Sequence, residues 1–412
     1  MSSSAPSPVP LRGERTTLPQ WVAVGVLTIA TFLVVTSEML PVGVLTPMAE
    51  GLGISVGATG TSLTITGLVS AATAPVAPRL LGDRDRRQVL AVAMVVLAIG
   101  NALTAIAGGF AMLVVSRIIL GIGMGVVWGM ASAVATRLVA PRNIALAVSF
   151  AVSGVASASV LGVPLGTFIG NAFGWRAAFG ALTTLALIVA AALMLALPVL
   201  RRPAAADDED AAPRRSLARP AVVTGLIVVV LLVTAHFAAY TYVRPALEEL
   251  SQMSANTIAL LLLLYGAFGL IGNFAAGAAA GRRPVLTVLL LATGITLALA
   301  IFALFGTLAL AASIAIALWG VAYGGLSVGA QLWMTTAAPD RVEHVTGLYV
   351  GVFTAAIALG AFAGGLVVEG AGTVPLLWAT AALALASLPV GLVGPGPQRT
   401  RVADAVPAGV AS

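Results

Sequence analysis

Apolar residues run through this chain in long blocks broken by short polar stretches, without the every-second-residue alternation of a membrane barrel strand. Backbone polar groups in lipid must find partners within the segment, so such blocks predict helices. Crossing the hydrocarbon takes about 20 helical residues at roughly 1.5 Å each. Cutting at the polar punctuation gives spans near 21–45, 57–80, 88–107, 111–136, 144–170 and 177–199. Six more follow near 221–243, 257–280, 284–303, 307–333, 344–368 and 374–393.

Between the two sets lies RRPAAADDEDAAPRRSLARP, Arg201 to Pro220, whose charge blocks and prolines suit a solvated linker. The expected organisation is an N-terminal tail over 1–20, a six-helix half over 21–199 and a linker over 200–220. A second half over 221–393 and a C-terminal tail over 394–412 complete it. An even number of spans puts both termini on one side. Assigning that side to the cytoplasm places 18 of the 21 arginines there, leaving Arg176 and Arg244 outside and Arg117 within a helix.

Composition narrows the class further. Of 412 residues 9% are charged and 59% hydrophobic, which excludes an ordinary soluble domain and indicates an integral membrane protein. The net charge of +6 is carried by loop arginines and is no nucleic-acid signal; no nucleic-acid partner is expected. Cysteine is absent, which excludes disulfides and thiolate metal sites. With two histidines, clustered metal or catalytic ligands are not expected either, nor a cofactor. The apolar run from Trp21 to Leu45 exceeds a signal-peptide core of about 7–15 residues and reads as a retained first helix.

The halves repeat one another. RRQVL at 86–90 recurs as RRPVL at 282–286, Ala140-Pro141-Arg142 as Ala338-Pro339-Asp340-Arg341, and Gly162/Gly166 as Gly360/Gly364 at an offset of 198. The same offset sets VVTSEM (34–39) against LVTAHF (232–237), with Glu38 opposite His236. A parallel six-helix repeat follows, and transporters built this way bind substrate near the membrane midplane between the halves.

Glu38 is the deepest acid, since Glu369 falls near a helix end and Glu248 and Glu249 outside. An ionised carboxylate at mid-membrane costs about 2.5–3.5 kcal/mol, so it is either a protonated structural group or a functional one in a wet cavity. A cavity acid that takes up and releases a proton can exchange it for substrate. His236 is either a satisfied hydrogen-bonder or a second member of that proton site. Asn101, Asn273 and Gln331 either bond substrate or join helices, and Trp128, Trp319 and Trp333 either wall a cavity or fill the core.

Four stretches carry a family resemblance: PRLLGDRDRR (78–87), RIILGIG (117–123), SVLGVPLGTFIG (159–170) with Gly174-Trp175-Arg176, and HFAAYTYVRP (236–245). Over roughly 20–393 the chain resembles the major facilitator superfamily, an all-α membrane fold of twelve helices. Within it the chain is similar to the bacterial drug/proton antiporters close to sugar-efflux and chloramphenicol-resistance transporters. The first stretch looks like the family's cytoplasmic gate, which implies roles for Asp83, Arg86 and Arg87 and, in the second half, Arg282 and Arg283. It departs from the pattern: Gly82 stands where an acid belongs and Asp85 where a glycine belongs.

The second stretch implies proton coupling for Arg117, against the alternative of a packing arginine bonded to carbonyls. The third looks like the antiporter signature, with Gly162, Gly166 and Gly170 on one smooth face and a kink at Pro164. In the fourth, Tyr240 is a candidate for the substrate cavity with Asn101, Trp128 and Gln331, while Tyr242 is assigned to the interfacial belt. The resemblance implies a monomeric exporter of the bacterial inner membrane, exchanging protons for a small organic molecule such as an amphenicol, with a sugar or metabolite as the alternative. A non-transporting scaffold or sensor and a membrane enzyme are the rival classes.

Overall fold

The computed structural model describes residues 16–80, 84–200, 219–339 and 342–394. Asp83, most of the expected linker and nearly all of both tails lie outside the described residues.

The first half comprises α1 (Leu18–Leu52), α2 (Val56–Leu80), α3 (Arg86–Ala105) and α4 (Phe110–Leu138). Its fifth span joins α5 (Ile144–Ser157), a π-helical turn (Ala158–Gly162) and α6 (Val163–Phe173), and α7 (Trp175–Ala196) is the sixth. The second half opens with α8 (Pro220–Tyr240) and the short α9 (Val243–Ser251), followed by α10 (Ala255–Ala280) and α11 (Pro284–Phe305). Then come α12 (Ala309–Gly324) with α13 (Leu326–Ala337) as one span, α14 (Val342–Ala371) and α15 (Thr373–Val393). By length and apolarity ten stretches of the described residues qualify as spans. The Thr- and Gly-rich α2 and the interrupted fifth span complete the twelve.

Prolines shape the first helix of each half in the same way. A proline has no N–H and its ring crowds the carbonyl four residues back, so the helix must bend there. In α1 the bend is at Val44 (φ −125°, ψ 21°), before Pro47. In the second half it is at Tyr242 (φ −107°, ψ 16°), before Pro245, and there the helix divides into α8 and α9. The two bends are 198 residues apart, the repeat offset. Because each proline removes only one bond, α1 continues through Pro47 to Leu52 rather than ending near 45.

Pro164 does not produce an open break. The chain absorbs it as the π turn over Ala158–Gly162, which widens the helix just ahead of the ring. At the equivalent repeat position stands Phe362, and there α14 runs uninterrupted for 30 residues. The turns into the last span of each half also match: Gly174 (φ 87°) and Gly372 (φ 90°) take left-handed conformations that suit glycine.

The glycine face of the fifth span packs on α1. A Cβ on Gly162 would strike the Thr36 side chain, on Gly166 Leu40, and on Gly170 Val44. In the second half Gly360 sits against Thr234 and Ala238, and Gly364 against Ala238 and Tyr242, so α14 lies on α8 in the same register. One apolar cluster lies within the first half, and the other fills the second half and takes in Val35, Met39, Val42, Leu63, Ala158 and Val163 of the first. The halves meet where α2 packs on α14, where α10 packs on α6 and the π turn, and where α1 meets α9.

Candidate functional site

The site grows out of what Pro41 does to α1. Lacking an N–H, Pro41 leaves the carbonyl of Ser37 without its helical donor. Arg117 of α4 supplies one: its Nη1 donates to the Ser37 carbonyl at 3.2 Å. Asn101 of α3 donates from Nδ2 to the Ser37 hydroxyl oxygen at 2.9 Å. Glu38, the next residue, is thereby fixed on a stretch held from two other helices, with 5% of its surface exposed.

Arg117 is fully buried with its guanidinium over the Phe179 ring, 5.0 Å from the centroid. Its Nε and Nη2 have no hydrogen-bond partner. Glu38 and Arg117 are near enough to interact electrostatically, yet no direct ion pair joins them. An arginine with free donors beside an unpaired carboxyl can tighten onto it as the carboxyl loses its proton and release it as the carboxyl gains one. Of the two alternatives for Arg117, the bond to the Ser37 carbonyl is the one the geometry contains.

His236 occupies the equivalent position in the second half, but in another environment. Its ring is 1% exposed and stacks on Tyr323 of α12 at 3.3 Å between centroids and 7° between planes. Tyr240 lies on it at 5.1 Å and 19°, and the Trp319 ring stands edge-on at 5.4 Å. Tyr265 of α10 stacks on Tyr240 at 4.8 Å. The halves thus divide the chemistry: charge around α1, stacked rings around α8.

The four cavity candidates fall in different places. Trp128 is half-buried and, like Phe32, packs against both apolar clusters. Asn101 is fully buried against α1 rather than open to a cavity, because Ser37 claims its amide. Tyr240 is 6% exposed inside the ring cluster. Gln331 is exposed on α13 and follows Tyr323 and Ser327 at four-residue spacing, so the three lie along one side of the α12–α13 span, a pattern already present in the residue order.

At the end of the bundle opposite the termini, polar contacts join the halves. Arg244, expected in an outer loop, is 4% exposed and donates from Nη1 to the carbonyl of Gly43 and to Asn171 Oδ1. Its Nε pairs with Glu248 at 2.8 Å, and Glu248 accepts from Thr46. Glu369 accepts from the Ser55 hydroxyl and the Ala58 amide. Tyr242 is fully buried rather than in the interfacial belt, since the bend before Pro245 turns it inward. Its hydroxyl donates to the Ala361 carbonyl at 3.0 Å and lies 3.5 Å from that of Gly57.

At the terminal end, Asp85 is the acid whose partners are described. It caps α3 by accepting from the Arg87 amide, accepts from the Leu200 amide at 2.9 Å and pairs with Arg87 Nε at 3.3 Å. Arg87 also reaches the Met194 carbonyl, so these contacts stay within the first half. Arg86 is buried beside them, and its amide bonds the Leu200 carbonyl. Arg282 and Arg283 are exposed before α11. Among the described residues no three His, Asp or Glu side chains gather as a metal site.

Residues 27–361 match the family model described as Major Facilitator Superfamily. The purine ribonucleoside efflux pump NepI of Shigella sonnei (strain Ss046) is 32% identical over 378 residues, covering 90% of this chain and 94% of that protein. NepI of Escherichia coli (strain K12) matches with the same identity and coverage. Among solved structures, a bacterial homologue of the human lysosomal transporter Spinster superposes with a TM-score of 0.75 at 14% identity, over 92% of this chain and 97% of that one. The nucleoside transporter NupG superposes with a TM-score of 0.74 at 12% identity, over 91% and 99%. At such identities the likeness is one of fold. With a family model spanning most of its length, relatives at 32% identity and twelve helices in two repeated halves, the chain belongs to the Major Facilitator Superfamily.

Proposed function

We propose that this protein exports purine ribonucleosides in exchange for protons, by alternating access of its two halves in the bacterial inner membrane. Cargo and direction are favoured by the likeness to purine ribonucleoside efflux pumps over 90% of the chain. A purine is also better suited than a sugar to a site rich in stacked rings. The observation that carries proton coupling is Glu38, buried at mid-helix beside an arginine that still has free donors.

The arginine distribution favours cytoplasmic termini, which makes the Arg244 end the outer one. With polar contacts between the halves there, the molecule is in an inward-facing state. In this state Glu38 exchanges its proton with the cytoplasm and cargo enters along the Tyr323, Ser327 and Gln331 face. Rocking of the halves then breaks the outer contacts and releases cargo outside. The working unit is a monomer in the bilayer, and no cofactor takes part.

The test is gradient-driven uptake into inverted membrane vesicles of adenosine and guanosine, with uridine, chloramphenicol and a sugar alongside. Purine nucleosides are expected to accumulate only with an imposed proton gradient, and Glu38→Gln to abolish the accumulation. Gradient-driven uptake that persists in Glu38→Gln would remove Glu38 from the mechanism. Transport of chloramphenicol or sugar in place of nucleoside would overturn the cargo.

A further inference from the structure

The ring cluster of the second half contains an anomaly. His236 Nδ1, Tyr265 Oη and Trp319 Nε1 are all buried without a hydrogen-bond partner. His236 and Trp319 are each 1% exposed and Tyr265 5%. Buried polar atoms are nearly always paired, because leaving one unpaired forfeits its hydration with nothing in return. Three in one cluster, on α8, α10 and α12, are a concentration that packing does not account for. The His236 ring lies 5.4 Å from that of Trp319 and 6.3 Å from that of Tyr265, and the Tyr265 and Trp319 rings are 6.0 Å apart.

Resting on the nucleoside reading above, we infer that this cluster is the subsite for the purine base, with Tyr265, Trp319 and His236 as its specificity-determining residues. The chemistry fits a planar nitrogen heterocycle. Trp319 Nε1 can only donate, Tyr265 Oη donates or accepts, and His236 Nδ1 does either according to tautomer. A purine offers ring-nitrogen acceptors and an exocyclic donor or acceptor at its edge, and its faces stack on aromatic rings. In this structure the imidazole of His236 lies in the stack between Tyr240 and Tyr323, the place a flat heterocycle would take.

Tyr323 is the one half-buried ring of the cluster, and it lies close enough to Glu38 to feel its charge. Turning Tyr323 aside uncovers His236 from the junction between the halves. Ribose, which has no aromatic face, stays on the Ser327 and Gln331 side. The site thus recognises the base with the second half and couples to protons with the first.

The test is equilibrium binding of radiolabelled adenosine and guanosine to the purified full-length protein in lipid nanodiscs, with ribose and uridine as competitors. Tyr265→Phe and Trp319→Phe each delete one polar atom and keep a ring. Each is expected to weaken purine nucleoside binding about tenfold. Because the deleted hydroxyl makes no bond in this structure, Tyr265→Phe is also expected to leave Tm unchanged or raise it. Wild-type affinity in both variants would overturn the subsite while leaving the nucleoside reading intact. Failure of the wild type to bind any purine nucleoside would overturn that reading and the subsite together. Loss of binding accompanied by a large fall in Tm in both variants would overturn the subsite by showing the rings to be structural.

Discussion

Arg244 donates to the carbonyl of Gly43, the carbonyl that Pro47 leaves without a helical donor. The contact between the halves at the end opposite the termini is therefore built on a proline in one and an arginine in the other. Charge-assisted bonds of this kind contribute roughly 1.5–3 kcal/mol each. Arg244→Ala removes those to Gly43, Asn171 and Glu248, and is expected to shift the population toward the outward-open state by tenfold or more, about 1.4 kcal/mol. The chain has no cysteine, so spin labels on cysteines introduced at the ends of α1 and α9 can read the separation directly. Unchanged distances in Arg244→Ala would remove this contact from gating.

The same logic applies one turn and a half earlier along α1. Pro41 frees the Ser37 carbonyl for Arg117, so Pro41→Ala should restore the helical bond and compete with the arginine. A proline within a helix costs about 3 kcal/mol, and its removal is expected to raise Tm. Transport is expected to fall at least tenfold, because Arg117 loses the anchor that keeps it beside Glu38. Thermal unfolding and vesicle transport measured together would decide it. Higher stability with full transport would show that the anchor is dispensable.

Much of the architecture was legible in the sequence because its cause is local. Twelve apolar blocks long enough to span, and a 198-residue offset linking Gly162 to Gly360, are statements about residue order. The offset extends to the bends at Val44 and Tyr242, which prolines at matching positions impose. The grip on α1 was not legible. A freed carbonyl can be read from a proline, but which arginine reaches it depends on tertiary packing: Arg117 is 80 residues from Ser37 and Arg244 is 201 from Gly43. Tyr242 was misplaced for a related reason, since its aromatic character suits an interfacial belt and only the bend turns it into the core. Asp85 stood where the family pattern has glycine; its cap on the Arg87 amide is local, but its tie to the Leu200 amide, far along the chain, depends on tertiary packing.

Asp85 offers a separate test at the terminal end. Losing an N-cap costs about 1 kcal/mol, and the tie to the Leu200 amide adds to it. Asp85→Ala is expected to lower Tm by several degrees, whereas Asp85→Asn, which keeps an acceptor oxygen, should retain most of the stability. If transport falls in both variants while Tm holds in Asp85→Asn, the carboxylate charge acts in gating as well as capping.

The repeated glycines predict an asymmetry that their sequence equivalence hides. A Cβ on Gly162 would meet the side chain of Thr36, whereas one on Gly360 would meet the Thr234 carbonyl at 2.6 Å, with the Ala238 amide and Phe237 Cβ at 3.0 Å. Gly162→Ala is therefore expected to destabilise by about 1–3 kcal/mol, the usual cost of overpacking, and Thr36→Ala in the same chain should recover most of it. Thr234 meets a Cβ at Gly360 only through its carbonyl, so Thr234→Ala should leave the Gly360→Ala defect in place. Double-mutant cycles on Tm would measure both couplings. Equal rescue in the two halves would mean that α14 can slide on α8 as freely as Thr36 can be trimmed, and that the two halves share a register without sharing a rigid contact.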